Sequence, residues 1–148
     1  VAGFTVGTEG LKALQDAFVK VGAQADQAAK ATVQEGTKMF LQDSKGGFEF
    51  AHKRGEPHVG GAKPNIVTGN LRRSILNTPL EHVGMGEYRD TVSPSAVYAR
   101  RVETGFEGPD SLGRQYHQKA YPYMGPAAEK LQEKLPGIMA ANWNKYVM

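Results

Sequence analysis

The chain has 148 residues, 40% hydrophobic and 22% charged, an ordinary soluble composition that predicts one domain large enough to bury a core. The absence of cysteine excludes disulfides, thiolate-bound zinc and thiol catalysis, and fits folding in a reducing cytoplasm. No apolar run approaches the ~20 residues that span a bilayer, no signal-peptide pattern opens the chain, and the net charge is a mild +3.

Phe4 and Val6 alternate with Gly3, Thr5 and Gly7, which predicts a short strand or an extended lead-in. From Thr8, a suitable N-cap, apolar or small residues recur at Leu11, Leu14, Phe18, Val21, Ala25, Ala28, Thr32, Gly36 and Met39. Steps of three and four mark one face of a helix, about 50 Å long if it runs to about Asp43. Residues 23–32 are rich in alanine. Either these small side chains let another helix or subunit approach closely, or alanine serves as a helix former at exposed sites. Gly22 and Gly36 mark places for a bend or a break.

Residues 44–73 hold six basic and two acidic side chains, so the whole positive excess lies there. Such a block is either a solvated loop or a surface that tolerates a polyanion such as DNA. Lys45-Gly46-Gly47 ends the helix, residues 48–52 alternate like a strand, and Arg54-Gly55-Glu56-Pro57 makes a turn. Residues 44–67 therefore read as an elongated hairpin or arm. Phe48 and Phe50 would dock it on a neighbouring subunit, and Lys53, Arg54 and Lys63 would face that interface or DNA.

In Thr68-Gly69-Asn70-Leu71-Arg72-Arg73-Ser74-Ile75 a turn feeds a strand. The Thr68 hydroxyl caps a brief helical turn, Gly69 supplies backbone angles that other residues resist, and Leu71 and Ile75 offer apolar side chains. The strand should cover residues 73–80 and pair antiparallel with residues 88–92 through Gly84-Met85-Gly86. Ser93 as N-cap and Pro94 at the first helical position predict a short helix to about Glu103, closed by Gly105, with Tyr98 and Val102 on one face. Gly108-Pro109-Asp110 is a turn, and residues 119–123 form a third strand or an extended segment. Pro126 opens a C-terminal helix with Ala127, Leu131 and Leu135 inward, and Pro136-Gly137 breaks it. Ile138, Trp143 and Val147 continue in a second short helix or in a tail that docks only on assembly.

Side chains with catalytic potential are sparse. His52 and His58 flank Lys53, Arg54 and Glu56 without the further ligands a metal needs. His117 lies near Tyr116, Lys119 and Tyr121, but no serine or cysteine nucleophile motif accompanies it. There is no phosphate loop and no base-reading motif. Catalytic, cofactor and metal sites are all expected to be absent. Glu103 is expected in a structural or intersubunit ion pair with Arg72, Arg73 or Arg100.

Three blocks in order carry a family likeness: Thr68 to Ile75, then Tyr98-Ala99-Arg100-Arg101-Val102-Glu103-Thr104-Gly105, then Tyr121-Pro122-Tyr123-Met124-Gly125-Pro126-Ala127 opening a helix. With the long helix before them, they resemble the neck and tail-completion proteins of long-tailed bacteriophages over residues 4–135. The chain departs from that pattern in its long arm and in Phe106-Glu107-Gly108, where a small residue is expected after the helix-closing glycine. The resemblance implies an α+β fold: a long N-terminal helix on a small antiparallel sheet, with a short middle helix and a C-terminal helix. It also implies a non-enzymatic virion protein, made in the host cytoplasm, that forms a six- or twelve-fold ring at the head–tail junction. Its neighbours would be head-completion, tail-terminator or tail-tube proteins, with genomic DNA in the channel and no membrane contact. A non-specific DNA-binding accessory protein using residues 44–73 is the alternative.

Overall fold

The computed structural model describes residues 8–51, 53–58 and 62–148, and for Thr8, Glu9 and Phe50 the backbone only. The expected strand at residues 4–6, the Thr8 cap, the Phe50 contact and His52 lie outside what is described. The fold is α+β, with a long N-terminal helix, small antiparallel ladders, short middle helices and a C-terminal helix.

Helix α1 runs unbroken from Thr8 to Gly46, 39 residues or about 58 Å. It passes through both Gly22 and Gly36. Gly36 is tolerated because a methyl group there would stand 3.5 Å from Leu131 Cδ1 and 3.7 Å from Leu135 Cδ1, so a second helix lies close against it. That second helix is α4, Met124–Tyr146. Ala28, Thr32 and Gly36 are all buried beneath it, so the small-residue stretch serves close helix packing. Thr32 hides its hydroxyl by donating to the Ala28 carbonyl at 2.8 Å. The two helices are antiparallel. Lys130 Nζ meets Asp43 Oδ1 at 2.9 Å at one end, and Asn142 Nδ2 donates to Glu35 Oε2 at 3.0 Å further along.

The expected break at Pro136-Gly137 does not occur. Pro136 and Gln132, whose carbonyl loses its partner to the proline, both face solvent, where water replaces the missing bond. Leu131 and Leu135 on the other side keep packing against α1 at Gly36, and that packing outweighs the local preference.

Between the long helices lie short elements. β1 (Glu49–Ala51) pairs with β2 (Asn65–Ile66) in parallel, so residues 44–67 are not a hairpin. Phe48 also points inward, its ring 5.1 Å from that of Tyr123, rather than outward toward a neighbour. α2 (Asn70–Ser74) follows, then β3 (Ile75–Asn77), so the strand expected from residue 73 begins only at Ile75. Its partner is β6 (Val92–Pro94), not residues 88–92. Tyr88 and Arg89 instead belong to β5 (Glu87–Arg89), which forms a hairpin with β4 (Glu81–Gly84) around the turn at Met85-Gly86.

Pro94 therefore ends a strand instead of opening a helix. It pairs with Ile75 in a two-stranded ladder, where a missing N–H is tolerated. The helix α3 starts five residues later and covers Ala99–Thr104. β7 (Phe106–Pro109) and β8 (Gln115–Gln118) make a hairpin whose turn is organised by Asp110. Asp110 Oδ1 accepts the N–H groups of Leu112 and Arg114, both at 2.9 Å, as an Asx-type turn does. Residues 119–123 belong to no strand. The central core is Leu71, Ile75, Ala99 and Tyr123, with Leu41, Phe48, Val92, Val102 and Met124 packed around it.

Candidate assembly surface

The three sequence blocks converge on this core. Gly69 takes a left-handed conformation (φ 72°) that turns the chain into α2, and the Thr68 hydroxyl accepts the Asn70 N–H at 3.2 Å. Leu71 is 8% exposed and Ile75 is fully buried. Ser74 turns its hydroxyl back onto the Leu71 carbonyl at 2.7 Å. Asn70 Nδ2 donates to the Tyr98 hydroxyl at 3.1 Å, joining the first block to the second, and Ala99 lies buried beside them.

Glu103 joins the second block to the third. Its Oε2 accepts the N–H groups of Tyr123 (2.8 Å) and Met124 (3.0 Å), and its Oε1 accepts that of Gly125 (2.8 Å). The expected ion pair with Arg72, Arg73 or Arg100 is absent among the described residues; all three arginines are exposed. Glu103 is instead a remote cap, satisfying donors that the first turn of α4 leaves open and placing negative charge at its positive end. Pro126 lies in that first turn, where its missing N–H has no intrahelical partner to lose. Gly105 (φ 76°) lets the chain leave α3 against β8: a Cβ there would stand 2.8 Å from the Gln118 carbonyl oxygen. Tyr123, 1% exposed, has its phenol pushed up to about 12 by burial, with smaller contributions from Glu103 and Tyr98.

The expected arm residues do not gather into one surface. Lys53 and Arg54 sit in an exposed turn in which the Lys53 N–H donates to Glu56 Oε2 at 2.8 Å. Lys63 lines a separate cleft with Asp43, Tyr123 and Lys130. The structure instead brings Arg72 and Arg73 together with Lys45, read from sequence only as part of the helix end and the basic block, around an open cleft of about 460 Å³. No ion pair among the described residues involves these three cations.

Histidine chemistry gains nothing from the fold. His58 stacks on Tyr121 with ring centroids 3.9 Å apart, and His117, largely exposed, faces only Glu107 at 3.8 Å. Among the described residues no group of three or more His, Asp or Glu side chains is arranged to hold a metal. No described helix is long and apolar enough to cross a membrane.

Two extended features are apolar. Residues 10–21 of α1 are exposed throughout, including Leu11 (53%), Leu14 (52%), Phe18 (68%) and Val21 (45%) at steps of three and four. They continue the same helix face that α4 covers at Ala28, Thr32 and Gly36, but α4 ends before reaching them. Beside the covered part lies a groove of about 820 Å³, with α1 as its floor, α4 as one wall and the β5–β6 connection as the other. The β4–β5 hairpin leading into that wall is tied to α1 through Asp26, which accepts the Gly86 N–H at 2.8 Å and the Tyr88 hydroxyl at 2.5 Å. These bonds, the Tyr88 one foremost, hold the Asp26 carboxyl below its ordinary value and raise that of Tyr88. Trp143, the only tryptophan, and Met139 form the α4 side of the groove and are half exposed. The sequence signal for this surface was present: four large apolar residues, Leu11, Leu14, Phe18 and Val21, at helical spacing. No family model, curated protein or solved structure matches the chain.

Proposed function

We propose that the chain is a structural, non-enzymatic subunit of a long-tailed phage neck that self-assembles into a ring and completes the tail at the head–tail junction. The observation that carries this is the uncovered apolar face of α1, residues 11–21, on a helix that is otherwise well packed. Contiguous exposed apolar patches are often functional, most often as interaction surfaces. The convergence of the three family-like blocks on one core supports the resemblance, because each block holds the next in place. The ring leaves a channel for the genome and contacts head-completion, tail-terminator or tail-tube proteins on its two faces. Closed cyclic symmetry with six or twelve copies requires one surface of each subunit to fit a different surface of the next.

The experiment is in vitro completion. Tails lacking this chain, mixed with purified protein and filled heads, should yield joined, infectious particles. Failure to decorate or complete such tails would remove the neck assignment.

The runner-up, a DNA-binding accessory protein, is favoured by the Lys45, Arg72 and Arg73 cluster. It predicts duplex binding by isolated monomers with a steep salt dependence, weakened about tenfold or more by replacing both arginines.

A further inference from the structure

We infer that the groove between α1, α4 and the β5–β6 connection is the seat for the exposed N-terminal third of α1 from a neighbouring copy, a contact that rests on the ring assignment above and specifies it. The two surfaces match in kind. The open part of the groove floor carries small residues, Ala25 and Ala29, which allow a helix to approach closely. The α4 wall is apolar, with Leu135, Met139 and Trp143, and the facing wall adds Val92 beside Asp90 and Thr91. The stripe of Leu11, Leu14, Phe18 and Val21 spans about three turns, the i, i+3, i+7 pattern of a helix that lies in a groove.

The occupant must come from another chain. Stripe and groove floor are parts of the same continuous helix, without proline or a break from Thr8 to Gly46, so they cannot meet within one molecule. Each copy therefore carries one unfilled seat and one unseated helix. Seating the helix of one copy in the next leaves a seat and a helix free at the two ends, which is the head-to-tail relation that closes into a ring. Charge agrees with this pairing. Lys20, outside every ion pair among the described residues, flanks the stripe, and Asp90, whose carboxylate accepts from Asn77 and Thr78 but pairs with no described cation, lines the seat. A 14-residue helical segment laid in the groove, about 21 Å long, is of the scale that buries several hundred Å² per partner, toward the ~800 Å² per side of a stable interface.

Trp143 reports the seat directly, because it is the only tryptophan and lines the groove. Wild-type protein, concentrated until it assembles, should show a blue-shifted Trp143 emission and at least twofold weaker acrylamide quenching than the dilute monomer. Phe18→Glu, at an exposed position, should keep the monomer's helical circular dichroism and remain monomeric, with emission independent of concentration. Because the chain has no cysteine, Phe18→Cys and Met139→Cys give unique thiols. A short bis-maleimide should join a mixture of the two variants at least tenfold more efficiently than either alone. Rings whose Trp143 emission does not change, or Phe18→Glu protein that assembles normally, would overturn the seat while leaving the ring. Self-cross-linking of Phe18→Cys alone would overturn it in favour of symmetric α1–α1 pairing. A chain that stays monomeric at every concentration would overturn the ring, and the seat with it.

Discussion

Replacing Glu103 tests how the three blocks are held together. In the wild type one carboxylate accepts three backbone N–H groups at the start of a 23-residue helix, at 2.8, 3.0 and 2.8 Å. A lost cap costs about 1 kcal/mol, and hydrogen bonds to a charged acceptor contribute about 1.5–3 kcal/mol. Water reaches part of this half-buried site and recovers some of that loss. Glu103→Ala should therefore destabilise by about 3 kcal/mol, a fall in Tm on the order of 6–12 °C for a domain of this size. Glu103→Gln keeps one acceptor oxygen but presents an NH2 group to a donor and removes the charge, for a loss of about 1.5 kcal/mol. Arg72→Ala should be neutral within about 0.5 kcal/mol, because Arg72 is exposed and outside every described ion pair. Urea unfolding of the four proteins at one low concentration, followed by circular dichroism, reads these differences as shifts in midpoint at constant slope. If Glu103→Ala lies within about 0.5 kcal/mol of wild type, the capping role is wrong. If Arg72→Ala costs as much as Glu103→Ala, the ion pair expected from sequence is the better description.

Other positions give independent checks. Gly105→Ala should cost about 3 kcal/mol by urea unfolding, since a Cβ at φ 76° would meet the Gln118 carbonyl at 2.8 Å. Gly36→Ala should raise stability by about 0.5–1 kcal/mol: its methyl group meets Leu131 and Leu135 at ordinary contact distance, and alanine is the better helix former. The tie between α1 and the β4–β5 hairpin should depend on pH in both directions. The Asp26 carboxyl is depressed from 3.8, so its contribution is present above that value and lost as pH falls through the lower folded one. Tyr88 is raised from 10.0, so its contribution is present below that value and lost as pH rises through the higher folded one. Protection of the Gly86 amide from hydrogen exchange, corrected for intrinsic rate, should hold between these limits and fall in acid, and Asp26→Ala should abolish it at neutral pH. Protection that is flat with pH would refute the tie.

Much of the helical framework was legible because it rests on periodicity. The face from Leu11 to Gly36 was readable at steps of three and four, and so was the inward set Ala127, Leu131 and Leu135. Leu71 and Ile75 were likewise identified as apolar anchors. What failed was local punctuation overridden by packing. Pro136 and Gly36 both sit inside continuous helices because α1 and α4 bury their facing sides together. Strand pairing was illegible because the strands have only two to four residues, too few for alternation to set a register, and Pro94 looked like a helix start. The role of Glu103 was missed because its partners lie 20–22 residues away and are backbone groups. One signal was available: Tyr123 precedes α4 with no capping side chain of its own, so its first N–H groups needed an acceptor from elsewhere. The groove was invisible because it exists only once α4 and the β5–β6 connection lie beside α1.

The central claim is that this chain is a self-assembling structural subunit. The most direct measurement is the mass and symmetry of the purified protein across a concentration series, by mass photometry and negative-stain imaging. The account predicts a shift from monomer to a single closed species of six or twelve copies with an open centre. A monomer at all concentrations that binds duplex DNA in a salt-dependent way would contradict it.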